Sequence, residues 1–180
     1  MRSLRSIIMK EMLHYGFVLS VICLVASGLL AGVNSLTKKQ ILRQAQVEED
    51  NSLKEVLPEA ESFQPITSGD EVVYYQAKDK EQRLIGVAFK ATGKGYSSDI
   101  ETMVGMSIDG TIKTIKVLSQ SETPGLGARV SEEAFTNQFK NKRDLNEVSA
   151  ITGATISSRA VIEAVKKKAR ELQALLKNNP

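Results

Sequence analysis

The stretch Thr152 to Ser158, T-G-A-T-I-S-S, sets hydroxyl and small residues directly before an apolar periodicity that reads as a helix. The N–H groups at a helix N-terminus lack intrahelical acceptors and stand at the positive end of the dipole, so a phosphate held at Thr155 would be stabilised there. Gly153 and Ala154 are small enough to let such a group approach the backbone closely. The same residues also make an ordinary strand-to-helix turn, and with no G-K-[ST] the segment is not a Walker loop. A second segment, S-E-T-P-G-L-G-A-R from Ser121 to Arg129, places Pro124 and Gly125 at the centre of a turn. Gly127 adds a second flexible point, so Leu126 is pushed outward on a tight loop. A leucine flanked by glycines can cover a flat apolar ring, and it can equally be a surface residue of a hairpin loop. A third segment, G-K-G-Y-S-S from Gly93 to Ser98, puts Tyr96 between strands, where it is available for stacking or for plain packing.

Other chemistries are excluded by the inventory. The chain has 180 residues, one histidine and one cysteine. His14 cannot form a cluster and Cys23 lies inside an apolar run, so no metal site, His-based triad or disulfide framework is expected. The net charge is +3, and the first 37 residues carry three basic side chains against one acidic. The remainder is nearly neutral, without the basic stripe that a nucleic-acid partner requires.

The elements that must position these segments follow from periodicity. Thr37 to Leu57 has apolar residues at Ile41, Leu42, Ala45, Leu53, Val56 and Leu57 amid dense charge, which predicts a helix ended by Pro58. A loop is expected around Pro65, Ser68 and Gly69. Strands are expected over 72–77, 84–91, 100–108 and 111–118; the last two flank Asp109-Gly110, a type I′ hairpin signal. This predicts an antiparallel meander. A short helix is expected over Glu132 to Lys140, with Ala134, Phe135 and Phe139 on one side. The final helix, capped by Ser157 or Ser158, shows Val161, Val165, Ala169, Leu172 and Leu176 on one face and Lys166, Lys167, Lys168 and Arg170 on the other. The basic residues read as a solvated face, with a docking surface for an acidic partner as the alternative.

Met12 through Thr37 contains no Asp, Glu, Lys or Arg, and its apolar centre is long enough for a helix to cross a hydrocarbon core. A cleaved signal peptide is the rival; the run is long for one and no Ala-x-Ala closes it. Charge does not orient the span, because Arg2, Arg5 and Lys10 on one side are matched by Lys38, Lys39 and Arg43 on the other. His14 and Tyr15 are expected at the interfacial belt in contact with headgroups, and Cys23 is expected to face lipid or to pack against another helix. The expected organisation is an N-terminal segment with the membrane helix over 1–37, a helical connector over 38–66 and an α+β domain over 67–180.

The order G-Y-x-x-x-I (95–100), Asp-Gly hairpin, E-T-P-G-L-G (122–127) and T-G-A-T-x-[ST] (152–157), behind a single span, resembles the FMN-binding domain of the G subunit of the Rnf ion-translocating electron transport complex. The C subunit of the sodium-translocating NADH:quinone oxidoreductase is a similar, less compact relative. The resemblance covers nearly the whole chain. It implies FMN held covalently by a phosphoester to Thr155 and installed by a separate flavin transferase, with Thr152, Gly153 and Ala154 leaving room for both. It implies that Glu122, Thr123, Gly125, Leu126 and Gly127 line the isoalloxazine, Thr123 as a polar contact and Leu126 as an apolar one, with Tyr96 nearby.

As function, the resemblance implies a single-pass subunit of the inner membrane, surrounded by lipid and by other membrane subunits. Its FMN domain would lie outside the cytoplasm and relay electrons in a complex that couples flow between ferredoxin and NAD to sodium or proton transport. One departure stands out: the family usually has Asp six residues before the modified threonine, and Ser149 stands here, with Asp144 and Glu147 the nearest acids. The alternatives are a quinone-reductase subunit, a stand-alone extracytoplasmic flavin carrier, and an unflavinylated scaffold subunit.

Overall fold

A computed structural model of the chain describes residues 2–69 and 71–178. It comprises two compact units, Met1–Val47 and Glu48–Pro180. The helix α1, Arg2–Val56, supplies the first unit and the opening turns of the second. Its apolar part is long and hydrophobic enough to cross a membrane. From Met12 to Leu36 its large apolar side chains, Leu24 and Leu30 among them, are exposed, as a lipid-facing surface demands.

In the second unit, β1 (Ser62–Ser68), β2 (Glu71–Lys78), β3 (Leu84–Lys94), β4 (Asp99–Ser107) and β5 (Ile112–Ser119) form one sheet in chain order. Every pairing is antiparallel, so the sheet is the expected meander and the class is α+β. After β5 come a 3-10 turn at Gly127–Ser131, α2 (Glu133–Thr136), further 3-10 turns at Asn137–Phe139 and Leu145–Glu147, and α3 (Thr155–Asn178).

Strand alternation divides the core between the two faces of the sheet. Ile100, Val104 and Met106 of β4 and Val87, Phe89 and Ala91 of β3 pack with Val161, Val165, Ala169 and Leu172 of α3. Phe135 and Phe139 join this layer edge to face, with ring centroids 5.4 Å apart. On the opposite face, Leu53, Val56 and Leu57 pack on Ala77, Ala88 and Met103. There Glu49 accepts the Tyr75 hydroxyl and pairs with Lys90 at 2.7 Å. Gly105 permits this approach, since a β-carbon there would lie 2.3 Å from the Val56 carbonyl oxygen.

Four local expectations are corrected. The segment around Pro65 is the edge strand β1, not a loop; among the described residues it pairs with β2 alone, the edge position at which a strand tolerates proline. The β4–β5 hairpin closes through Gly110 N–H to Ser107 O at 2.9 Å, and only Gly110, at φ 89°, has a positive φ. That is a type I turn followed by a left-handed glycine, not type I′. The helix expected over Glu132–Lys140 is one α-turn and one 3-10 turn, and Ala134 faces solvent while Phe135 and Phe139 are buried. Finally, α3 begins at Thr155, ahead of both serines expected to cap it.

Candidate functional site

The loop after β5 turns as its residues dictate. Leu126 N–H donates to Thr123 O at 3.1 Å across Pro124 and Gly125, and Gly125 takes φ 74°, the conformation a glycine tolerates at the third position of a type II turn. Ala128 N–H donates to the same carbonyl at 3.2 Å. Leu126 is left 50% exposed.

Before α3 the chain reverses at Gly153, φ 83°, and Ala154 N–H closes the turn on Ile151 O at 3.0 Å. The first helical bond is Ser158 N–H to Ala154 O at 2.9 Å, so the amides of Thr155, Ile156 and Ser157 precede the intrahelical ladder. Ser158 Oγ also donates to Ala154 O, at 2.8 Å, and accepts from Ile151 N at 3.1 Å, which ties the loop to the helix it enters. Thr155 itself is exposed.

These two loops meet. A β-carbon on Gly153 would lie 3.7 Å from Leu126 Cδ2, so the leucine lies against the T-G-A-T turn. The turn after β3 completes the enclosure: Gly95 N–H donates to Ser98 O at 2.8 Å, and Tyr96 projects with its side chain largely exposed. The result is a cleft of about 430 Å³ lined by Tyr96, Glu122, Thr123, Leu126, Gly127 and the run Gly153 to Ser157. That size lies within the range of small-molecule sites.

Eight of the residues singled out in the sequence are therefore brought together at one cleft: Tyr96, Glu122, Thr123, Leu126, Gly127, Gly153, Ala154 and Thr155. Thr152 and Gly125 shape the two turns without lining it. Sequence reasoning missed Ile156 and Ser157 as lining residues. Ile156 is 56% exposed on the first turn of α3, where an isoleucine directly after the T-G-A-T motif was the available signal. Ser157 carries the chemistry of a helix cap, which masks its place in the cleft wall.

Glu122 does not face the cleft as a free acid. It is buried, and it accepts hydrogen bonds from Ser157 Oγ at 2.6 Å, Ser97 N at 2.9 Å, Ser98 N at 3.0 Å and Tyr96 N at 3.2 Å. Burial pushes its carboxyl up, but the Ser157 hydroxyl and the three amides together outweigh it and hold the group below its ordinary value, ionised at neutral pH. Among the described residues no group of His, Cys, Asp and Glu could hold a metal ion.

Residues 95–170 match the family model of the FMN-binding domain, and residues 1–56 match that of the RnfG N-terminal region. The chain is 32% identical to the G subunit of the ion-translocating oxidoreductase complex of Methanosarcina acetivorans, covering 87% of this chain and 92% of that one. It is 30% identical to the G subunit of the proton-translocating ferredoxin:NAD(+) oxidoreductase complex of Clostridium ljungdahlii, over 86% and 88% of the two chains. It is equally 30% identical to the G subunit of the Na(+)-translocating ferredoxin:NAD(+) oxidoreductase complex of Acetobacterium woodii, over 93% and 95%. An N-terminal apolar helix, an antiparallel sheet whose cleft gathers the motif residues, and relatives matched along nearly their full lengths agree: the chain belongs to the family of G subunits of Rnf-type ion-translocating oxidoreductase complexes.

Proposed function

We propose that this chain is a membrane-anchored electron relay that carries FMN in phosphoester linkage to Thr155. The observation that carries the proposal is the convergence, at one cleft, of an exposed Thr155 on the first turn of α3 with Tyr96, Leu126 and Ile156. The residues present fit the group. The amides of Thr155, Ile156 and Ser157 offer donors and the positive end of the α3 dipole to a phosphate. Leu126, Ile156 and Tyr96 offer apolar and aromatic surface to a flat ring. Gly153, at φ 83°, makes the turn from which Thr155 enters α3.

When bound, FMN supplies the one-electron chemistry, which is the cofactor's own. The chain supplies position. The Thr155 hydroxyl is a weak nucleophile at its free pKa, so a flavin transferase must activate it: the hydroxyl proton passes to a base, Oγ1 bonds to the flavin-side phosphorus of a flavin dinucleotide donor, and the donor's phosphoanhydride bond breaks to release the nucleoside monophosphate. Covalent attachment suits a carrier on an exposed cleft, where a dissociable flavin would be lost to dilution. The chain would act with the other membrane subunits of its complex, with α1 in the lipid and the FMN domain outside the cytoplasm.

The test is a denaturing gel of the full-length protein co-expressed with the transferase. Wild type is expected to fluoresce as flavin, Thr155→Ala to lose the fluorescence, and Thr152→Ala to retain it at least in part. Thr155 is exposed, so its loss should change stability by no more than roughly 0.5 kcal/mol. Retained fluorescence in Thr155→Ala would show the attachment site to be elsewhere.

A further inference from the structure

Gly95, Glu122, Gly127 and Ser157 come from three separate segments, Glu122 and Gly127 sharing the loop after β5, and meet at one point. Glu122 Oε1 accepts from Ser97 and Ser98, and Oε2 accepts from Tyr96 and from the Ser157 hydroxyl. Successive amides in a turn form a concave set of donors suited to an anion. Here a side chain more than twenty residues downstream fills it. The two glycines are explained by the same carboxylate. A β-carbon on Gly95 would lie 2.5 Å from Glu122 Oε1, and one on Gly127 would lie 2.6 Å from Oε2 and 2.8 Å from Ser157 Oγ. At both positions the space a side chain would need is already taken.

We propose that Glu122 is a positioning residue: by filling the amide nest of residues 96–98 and holding Ser157, its carboxylate sets the span across the cleft between the turn bearing Tyr96 and the helix turn bearing Thr155. Both walls hang on the same group. The 96–98 amides are fixed by Oε1 and Oε2, while the first turn of α3 is fixed by the Ser157 hydroxyl, two residues past Thr155. Only a carboxylate accepts at all four contacts. A glutamine of the same shape has one acceptor oxygen; its NH₂ would face at least one of the three backbone N–H groups, and the Ser157 hydroxyl alone could turn to accept from it. Filling the nest from within also decides direction: an incoming phosphate meets the free amides of α3, at the Thr155 end of the cleft, and not those of residues 96–98.

The inference rests on the FMN proposal only for what the cleft holds; the span itself can be measured without flavin. The experiment is amide hydrogen exchange on the full-length protein in detergent, expressed with and without the transferase. The flavinylated samples are also measured by visible circular dichroism, which reports how asymmetrically the flavin is held. Glu122→Gln is expected to speed exchange within residues 96–98 by about tenfold or more at the amide left facing the glutamine NH₂, the loss expected for a hydrogen bond to a charged acceptor, and to leave β3 and β4 protected. Its flavin dichroism should fall by at least half.

Ser157→Ala is the second variant. It leaves the three amide bonds intact and cuts only the tie to α3, so 96–98 should stay protected while the dichroism still falls. Unchanged exchange at 96–98 in Glu122→Gln would overturn the proposal. So would unchanged dichroism in both variants. A wild type without covalent flavin would sink the attachment proposal instead, and the exchange arm would still decide the role of Glu122. If Glu122→Gln unfolds throughout, loss of dichroism in a folded Ser157→Ala supports the proposal and retention overturns it.

Discussion

At the position six residues before Thr155, Ser149 donates its backbone N–H to Gln138 Oε1 at 2.9 Å and exposes its side chain. A carboxylate there would be free to help a transferase place a metal or orient the T-G-A-T loop. Glu147 is a poor substitute: it ends a 3-10 turn, not a strand that would align it with position 149, and its carboxylate is paired with Lys142. Ser149→Asp is therefore expected to be flavinylated several-fold faster than wild type in a timed co-expression read by intact mass, with Glu147→Gln indistinguishable from wild type. Equal rates for Ser149→Asp and wild type would make the acid dispensable; slowed labelling of Glu147→Gln would identify that residue as the compensating acid. Glu122 gives a pH signature at the same scale. Its folded pKa lies below the ordinary 4.5, so its contribution to stability is complete above about that pH and is lost as pH falls through the lowered value. The stability gap between wild type and Glu122→Gln in denaturant titrations should shrink on acidification from pH 5 to about pH 3. A gap that widened would mean the carboxyl is protonated in the folded protein.

The helices and strands show which parts of the fold local sequence can specify. The register of α3 was legible because its apolar residues recur at helical spacing, and Val161, Val165, Ala169 and Leu172 are all buried against the sheet. Its start was not, because Ser157 and Ser158 have the chemistry of caps but other partners. Ser157 serves Glu122, 35 residues away, and Ser158 bonds back to Ala154 O from inside the helix. No local pattern contains a partner at that separation. The strand β1 was hidden for a related reason: Pro65 reads as a breaker until the sheet shows that this strand is an edge. The gathering of the cleft was legible as a set of motifs, whereas the buried carboxylate joining them was not. The register of α3 makes a sharp prediction. Leu172 is 1% exposed and Leu175, three residues on, is 52% exposed. Leu172→Ala should cost roughly 2–5 kcal/mol through a core cavity, and Leu175→Ala no more than about 0.5 kcal/mol. Comparable losses in thermal unfolding of the two variants would show that the helix packs in another register.

At the scale of the whole molecule the question is which side of the membrane the FMN domain occupies. The span itself follows from an uncharged run whose large side chains lie exposed along α1. Its direction does not follow from charge, since three basic residues precede the run and three follow it closely, a tie under the positive-inside rule. Acidic residues contribute little to that rule, so Glu11 and the acids beyond Val47 do not break the tie. We predict that the N-terminus is cytoplasmic and that residues after about 38 lie outside, as the family resemblance implies. Fusions at the C-terminus test this directly: a reporter that matures only outside the cytoplasm should be active, and one that folds only in the cytoplasm should be silent. The near-balance of charge adds a second arm. Reversing the signs of Arg2 and Arg5 should invert a measurable fraction of the molecules, because so little charge difference separates the two orientations. Adding two lysines beside them should leave the topology unchanged. A wild-type fusion active only in the cytoplasm would place the cleft and Thr155 on the inner side, where they would have to meet different partner subunits and a cytoplasmic transferase.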